Sequence, residues 1–79
     1  MNKAEYQEIV ALLSDLLEYE GELHVGLSRD DIPKWDSLKH VQIIEALEQE
    51  FDVQLSMDEM IEIQGIQDIV NVLERHSAI

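Results

Sequence analysis

The sequence predicts an all-α fold: a small four-helix bundle with three longer helices, one short third helix and a long first loop. Three observations predict it. Apolar residues recur at helical spacing in three stretches. Ser, Asp and Gly stand between those stretches, where caps and breaks belong. Strand-like alternation is confined to Val53 and Leu55, too few residues for a sheet.

The first helix is expected over residues 3–19. Tyr6, Ile9, Val10, Leu13, Leu16 and Leu17 fall on one helical stripe. Asn2 can cap it, with Glu5 three residues later. Gly21 and Gly26 loosen the chain beyond this helix. Residues 20–36 hold Leu23, Val25, Leu27 and Ile32 without a lasting period, and they read as a long ordered loop pinned by those apolar anchors. Pro33 discourages helix at Ile32. A loop of this length in so short a chain usually has a task. The second helix is expected to start at Asp36 or Ser37. Leu38, Val41, Ile44, Leu47 and Phe51, widened by Ile43, form its expected inner stripe, with Glu45, Glu48 and Gln49 on the wet side. A break comes next, at Asp52–Leu55. Ser56 then caps the short helix, with Glu59 in the capping-box position and Met60 and Ile63 as its apolar contacts. Gly65 breaks the chain again, and residues 66–76 form the last helix, with Ile66, Ile69, Val70 and Leu73 inward.

Composition narrows the function classes. At 79 residues, 1–79 is expected to be a single domain with an aliphatic core and no room for a deep enzyme cleft. With Met1 directly before the first helix and Ile79 soon after the last, it reads as a discrete protein rather than a domain excised from a larger one, and a monomer is expected. Eighteen acids against five bases give a formal charge of −13. Such a field repels nucleic-acid backbones and anionic membrane surfaces, and it attracts basic protein surfaces and cations. No signal pattern or membrane-length apolar run is present, and cysteine is absent. The expected location is the cytoplasm. His24 and His76 are far apart in sequence and no EF-hand spacing occurs, so no metal site is expected beyond loose surface binding of divalent cations.

The stretch "IPKWDSLKHVQIIEALEQEF" (32–51) carries the chemistry. Ser37 can be read three ways. As a nucleophile it would need His40, one turn later, as base and Asp36 as orienting acid. Residues i−1 and i+3 project to different sides of a helix start, and no Gly-rich turn supplies an oxyanion hole. No catalytic residue is therefore assigned, and the chain is not expected to be an enzyme. As a cap, Ser37 or Asp36 would accept orphan backbone N–H groups at the helix start. In the third reading Ser37 is an attachment point, which requires an unhindered primary hydroxyl on a rigid scaffold.

"DSL" at the mouth of helix two, the long loop before it, the "ALEQEF" end of that helix, the short third helix and the "GIQDIVNVL" last helix together resemble the acyl carrier protein family. The resemblance covers nearly the whole chain. It implies that Ser37 carries 4′-phosphopantetheine, transferred from coenzyme A by a separate holo-carrier synthase (a phosphopantetheinyl transferase), with Asp36 beside it. It implies that acyl or related groups ride as thioesters and pass to acylating and acyl-transferring enzymes of a fatty-acid, polyketide or other specialised pathway. It further implies partner contact on helix two, through Leu38, Lys39, Glu45 and Glu48 and beside Trp35, and a core that can open for an acyl chain. Lys39 and Gln42 stand where fatty-acid carriers tend to hold acids or neutral polar groups. "WDSLKHV" is similar to discrete carriers that serve specialised pathways. The rival reading is an acidic protein-interaction module with a carrier-like fold and no prosthetic arm.

Overall fold

A computed structural model describes residues 3–79. Among them, the chain forms four α-helices in the expected order: α1 (Lys3–Leu17), α2 (Ser37–Phe51), α3 (Met57–Glu62) and α4 (Ile66–Arg75). The described residues form no strand; an isolated bridge between Ser28 and Gly65 is the only β-type pairing among them. This is the small helical bundle that the sequence predicts. The expected cap at Asn2 lies outside the described residues.

Each helix stops for a local reason. α1 ends at Leu17, two residues before the expected 19, because Glu18 turns left-handed at φ 49°. Lys34 then binds the Glu18 carboxylate at 2.7 Å and ties this corner to the end of the loop. α2 ends where Asp52 turns left-handed at φ 53°; the N–H groups of Asp52 and Val53 both donate to the Glu48 carbonyl. Aspartate tolerates the left-handed region better than most residues. α3 begins with the expected reciprocal cap: Ser56 Oγ accepts from Glu59 N–H, and Glu59 accepts from Ser56 N–H. α4 runs to Arg75, one residue short of the expected end.

The core is aliphatic and draws on every long helix. Ile9, Leu13 and Leu17 of α1, Ile43, Ile44 and Leu47 of α2, and Ile66, Ile69, Val72 and Leu73 of α4 are buried. Leu23, Ile32 and Trp35 of the loop join them. Full burial of one such side chain contributes about 1.5–3 kcal/mol, so these few residues dominate the stability of so small a chain.

The inner face of α2 differs from the expected one. Leu38 and Val41 are not in the core; they are 67% and 42% exposed. His40 takes the inward place, with Ile43, Ile44 and Leu47. Apolar spacing alone places every aliphatic inward, but α2 also turns a second apolar face outward.

The long loop is more ordered than its lack of period suggests. Arg29–Asp31 form one 3₁₀ turn, and Asp31 accepts from the backbone N–H of Ser28. Arg29 N–H donates to the Gln64 carbonyl at 2.8 Å, and Ile66 N–H donates to the Leu27 carbonyl at 3.1 Å. These two bonds pin the loop to the α3–α4 junction. Gly65 is needed there, since an added Cβ would lie 2.8 Å from the Leu27 carbonyl oxygen. Two open hollows flank α1, one lined by Leu17, Tyr19 and Ile32 and the other by Tyr6, Val10 and Leu23; α2 lines neither.

Candidate functional site

The site is built where the loop enters α2. Trp35 N–H donates to the Ile32 carbonyl, which turns the chain out of the Pro33 segment. Asp36 is extended and caps α2: its carboxylate accepts from Lys39 N–H at 2.9 Å, and its carbonyl accepts from His40 N–H at 2.8 Å. With the cap supplied by Asp36, Ser37 is released from that task. It stands exposed as the first helical residue, and its hydroxyl makes no hydrogen bond among the described residues.

The triad reading fails on this geometry. His40 is 7% exposed and both of its ring nitrogens face other groups. Nδ1 lies 3.0 Å from Trp35 Nε1, and Nε2 lies 2.8 Å from the Met60 carbonyl. Asp36 is engaged with the helix backbone. Neither side chain is bonded to Ser37 Oγ.

The remaining residues singled out in the sequence divide into two groups. Leu38 and Glu45 are exposed on α2, and Lys39 is half-buried beside Ser37. With Val41 of α2 and Met57 and Ile61 of α3, which are 74% and 64% exposed, Leu38 belongs to a set of outward aliphatics on these two helices. Glu48 and Trp35 are held inside the fold. Glu48 is half-buried, and its carboxylate accepts from Leu55 N–H at 2.9 Å, where it fixes the α2–α3 connection. Trp35 is 3% exposed and packs in the core.

The acids of α3 are less free than a solvated face. Arg75 binds Glu62 at 2.8 Å and reaches Glu59 at 3.5 Å, while His76 Nε2 lies 2.8 Å from Glu59. The Ser56 backbone N–H, and then His76, hold the Glu59 carboxyl down at about 2. Arg75 likewise lowers Glu62, and Lys34 lowers Glu18. No group of side chains among the described residues has the make-up of a metal site, and no described helix is long and apolar enough to cross a membrane.

The site is thus an exposed serine with an unengaged hydroxyl, at the first turn of a helix whose inner face packs into the core of a four-helix bundle. Residues 34–73 match the family model of the phosphopantetheine attachment site. That is just over half the chain, and the protein belongs to this family, as a member of the acyl carrier protein group. No solved structure matches the chain. The family's prosthetic group is covalently attached 4′-phosphopantetheine. When bound, it supplies a flexible arm ending in a thiol.

The residues at the mouth of α2 suit such a group. The matched segment contains two serines and no threonine. Ser56 is committed to capping α3, whereas the Ser37 hydroxyl is unengaged. The backbone N–H groups of Ser37 and Leu38 make no hydrogen bond among the described residues, so the start of α2 keeps the partial positive charge that favours a phosphodiester. Asp36 adds an opposing negative charge whose oxygen is already bound to Lys39 N–H.

Proposed function

We propose that Ser37 is the attachment point of 4′-phosphopantetheine and that the chain carries acyl, aminoacyl or polyketide-type groups to partner enzymes of a specialised biosynthetic pathway. One observation carries this reading. Of the two hydroxyls in the matched segment, that of Ser37 alone is exposed and unengaged, and it sits at the start of a helix fixed by Asp36. The catalytic work falls to the partners: a holo-carrier synthase that loads the arm, then acylating and acyl-transferring enzymes. Exposed Leu38 and Glu45, with Lys39, support a docking surface beside Ser37 on α2. Trp35 and Glu48 serve that surface from within, by shaping the two ends of α2. The cytoplasm suits such a chain, which has no cysteine to compete with the thiol of the arm.

The test is loading in vitro. Incubation with coenzyme A, Mg²⁺ and a broad-specificity phosphopantetheinyl transferase adds one phosphopantetheine, peptide mapping places it on Ser37, and Ser37→Ala stays unmodified. A folded wild-type protein that several transferases leave untouched, or a group mapped to another residue, overturns the proposal.

A further inference from the structure

His40 is the only buried polar or charged side chain among the described residues, and nothing in the carrier reading uses it. An indole N–H can only donate and a carbonyl can only accept. Trp35 Nε1–H therefore donates to His40 Nδ1 at 3.0 Å, and His40 Nε2–H donates to the Met60 carbonyl at 2.8 Å. The two partners thus set which ring nitrogen accepts and which donates. The two rings lie edge to edge across this bond, with centroids 6.1 Å apart and planes inclined by 25°.

This pair of bonds spans the candidate site. Trp35 stands immediately before Asp36 and Ser37, and His40 stands one turn after them. Met60 belongs to α3, no side chain of which is fully buried. Met60 packs partly on the core and Ile63, which caps α3, is buried; the link through His40 adds a directional tie between α2 and α3, alongside the Arg75 and His76 contacts of α3 with the end of α4.

We propose that His40 is a positioning residue for the loading of Ser37: by joining Trp35 to the Met60 carbonyl it fixes the entry of α2 and sets α3 beside it in one arrangement. The proposal rests on the reading of Ser37 as the attachment point. In that loading, Ser37 Oγ bonds to the pantetheine-side phosphorus of coenzyme A as the bond from that phosphorus to the bridging pyrophosphate oxygen breaks. The hydroxyl proton passes to a base on the synthase, and adenosine 3′,5′-bisphosphate leaves. His40 touches none of these atoms; it acts through Trp35 on where Oγ stands. Displacement of a reacting atom by about 1 Å can lower a rate by about a hundredfold, so a modest loosening of this entry is measurable.

The experiment uses four variants of the full chain. His40→Leu fills the space but leaves the Trp35 N–H and the Met60 carbonyl without partners. His40→Gln offers an acceptor and a donor again. Trp35→Phe keeps a ring and removes the donor. Val72→Ala trims the α4 core, removes neither hydrogen bond of this link, and reports what lost stability alone does. Circular dichroism confirms folding, and initial rates of loading are measured against carrier concentration. His40→Leu is expected to lower kcat roughly tenfold with a much smaller change in KM. Trp35→Phe lowers it in the same direction, His40→Gln recovers most of it, and Val72→Ala leaves both constants unchanged while melting earlier. Trp35 is the only tryptophan, so its indole N–H gives a single NMR signal, which should move in His40→Leu and return towards its original place in His40→Gln. If His40→Leu does not fold, Trp35→Phe and His40→Gln decide. Unchanged constants in folded His40→Leu or Trp35→Phe, an equal loss in Val72→Ala, or an indole signal indifferent to His40 each overturn the proposal, with the Ser37 reading left standing. A wild-type protein that is not loaded on Ser37 removes both.

Discussion

Glu45 and Glu48 lie less than one turn apart on α2 but have different tasks. Glu45 is exposed, while Glu48 binds the Leu55 N–H and holds the chain as it leaves the helix. Glu45→Gln should keep the melting point, because Gln and Glu have similar helix propensity. It should slow association with the loading enzyme, most visibly at low salt, because rim charges act mainly on encounter. Glu48→Ala should instead cost about 1 kcal/mol or more of stability through the lost charge-assisted hydrogen bond. Initial rates at two ionic strengths, beside thermal melts, separate the two; equal behaviour in both assays would contradict this division. A helical wheel puts Glu45 and Glu48 together on a wet face because it has no knowledge of the loop that folds back on α2. Asp36 and Ser37 are legible in the sequence because capping is local. The Trp35–His40–Met60 link is not, since its third member is twenty residues away from His40.

At the scale of elements, α3 is the telling case. The sequence predicts its start through Ser56 and Glu59, which are three residues apart. Its clasp to the end of α4 joins residues thirteen or more apart and leaves no local trace. This clasp has a definite acid dependence. The Glu59 carboxyl, ordinarily near 4.5, is held at about 2 by Ser56 N–H and then His76. Such a group binds fewer protons in the fold than in the unfolded chain. Its contribution is full above the ordinary value and disappears as pH falls towards about 2. Glu59→Gln should therefore flatten the acid side of a plot of melting midpoint against pH in that window, relative to wild type. Parallel curves would show that the clasp contributes nothing. The loop gives the second test. Gly65→Ala places a methyl 2.8 Å from a backbone oxygen, which can yield only if the whole bridge shifts. An overpacked position of this kind costs about 1–3 kcal/mol, so the variant should melt several degrees lower. An unchanged midpoint would mean that the bridge does not pin the loop. The outward Leu38 and Val41 of α2 are the matching lesson on faces. Apolar period marks which residues share a side, but a helix with two apolar sides needs its neighbours to say which one is inside.

For the molecule as a whole, charge and attachment are the two governing facts. Eighteen acids surround an aliphatic core against five bases; among the described residues Glu18 meets Lys34, and Glu59 and Glu62 meet Arg75. Their mutual repulsion opposes compaction. Added NaCl should raise the melting midpoint by screening charges beyond a Debye length of about 10 Å near 0.1 M, and Mg²⁺ should raise it further. A flat or falling midpoint would mean that the acids are already balanced locally. The overall bundle is legible in the sequence because helical period, caps and breaks agree along the chain; the polar ties that orient its parts are not, because they join distant residues. The central claim concerns one hydroxyl. Intact mass and peptide mapping of the protein purified from a host with an active carrier synthase test it most directly. The predicted result is a fraction of molecules heavier by one phosphopantetheine, with the group on Ser37 and absent from Ser37→Ala. A wild-type protein of unmodified mass from such a host, still unmodified after exposure to coenzyme A and transferase, would contradict it.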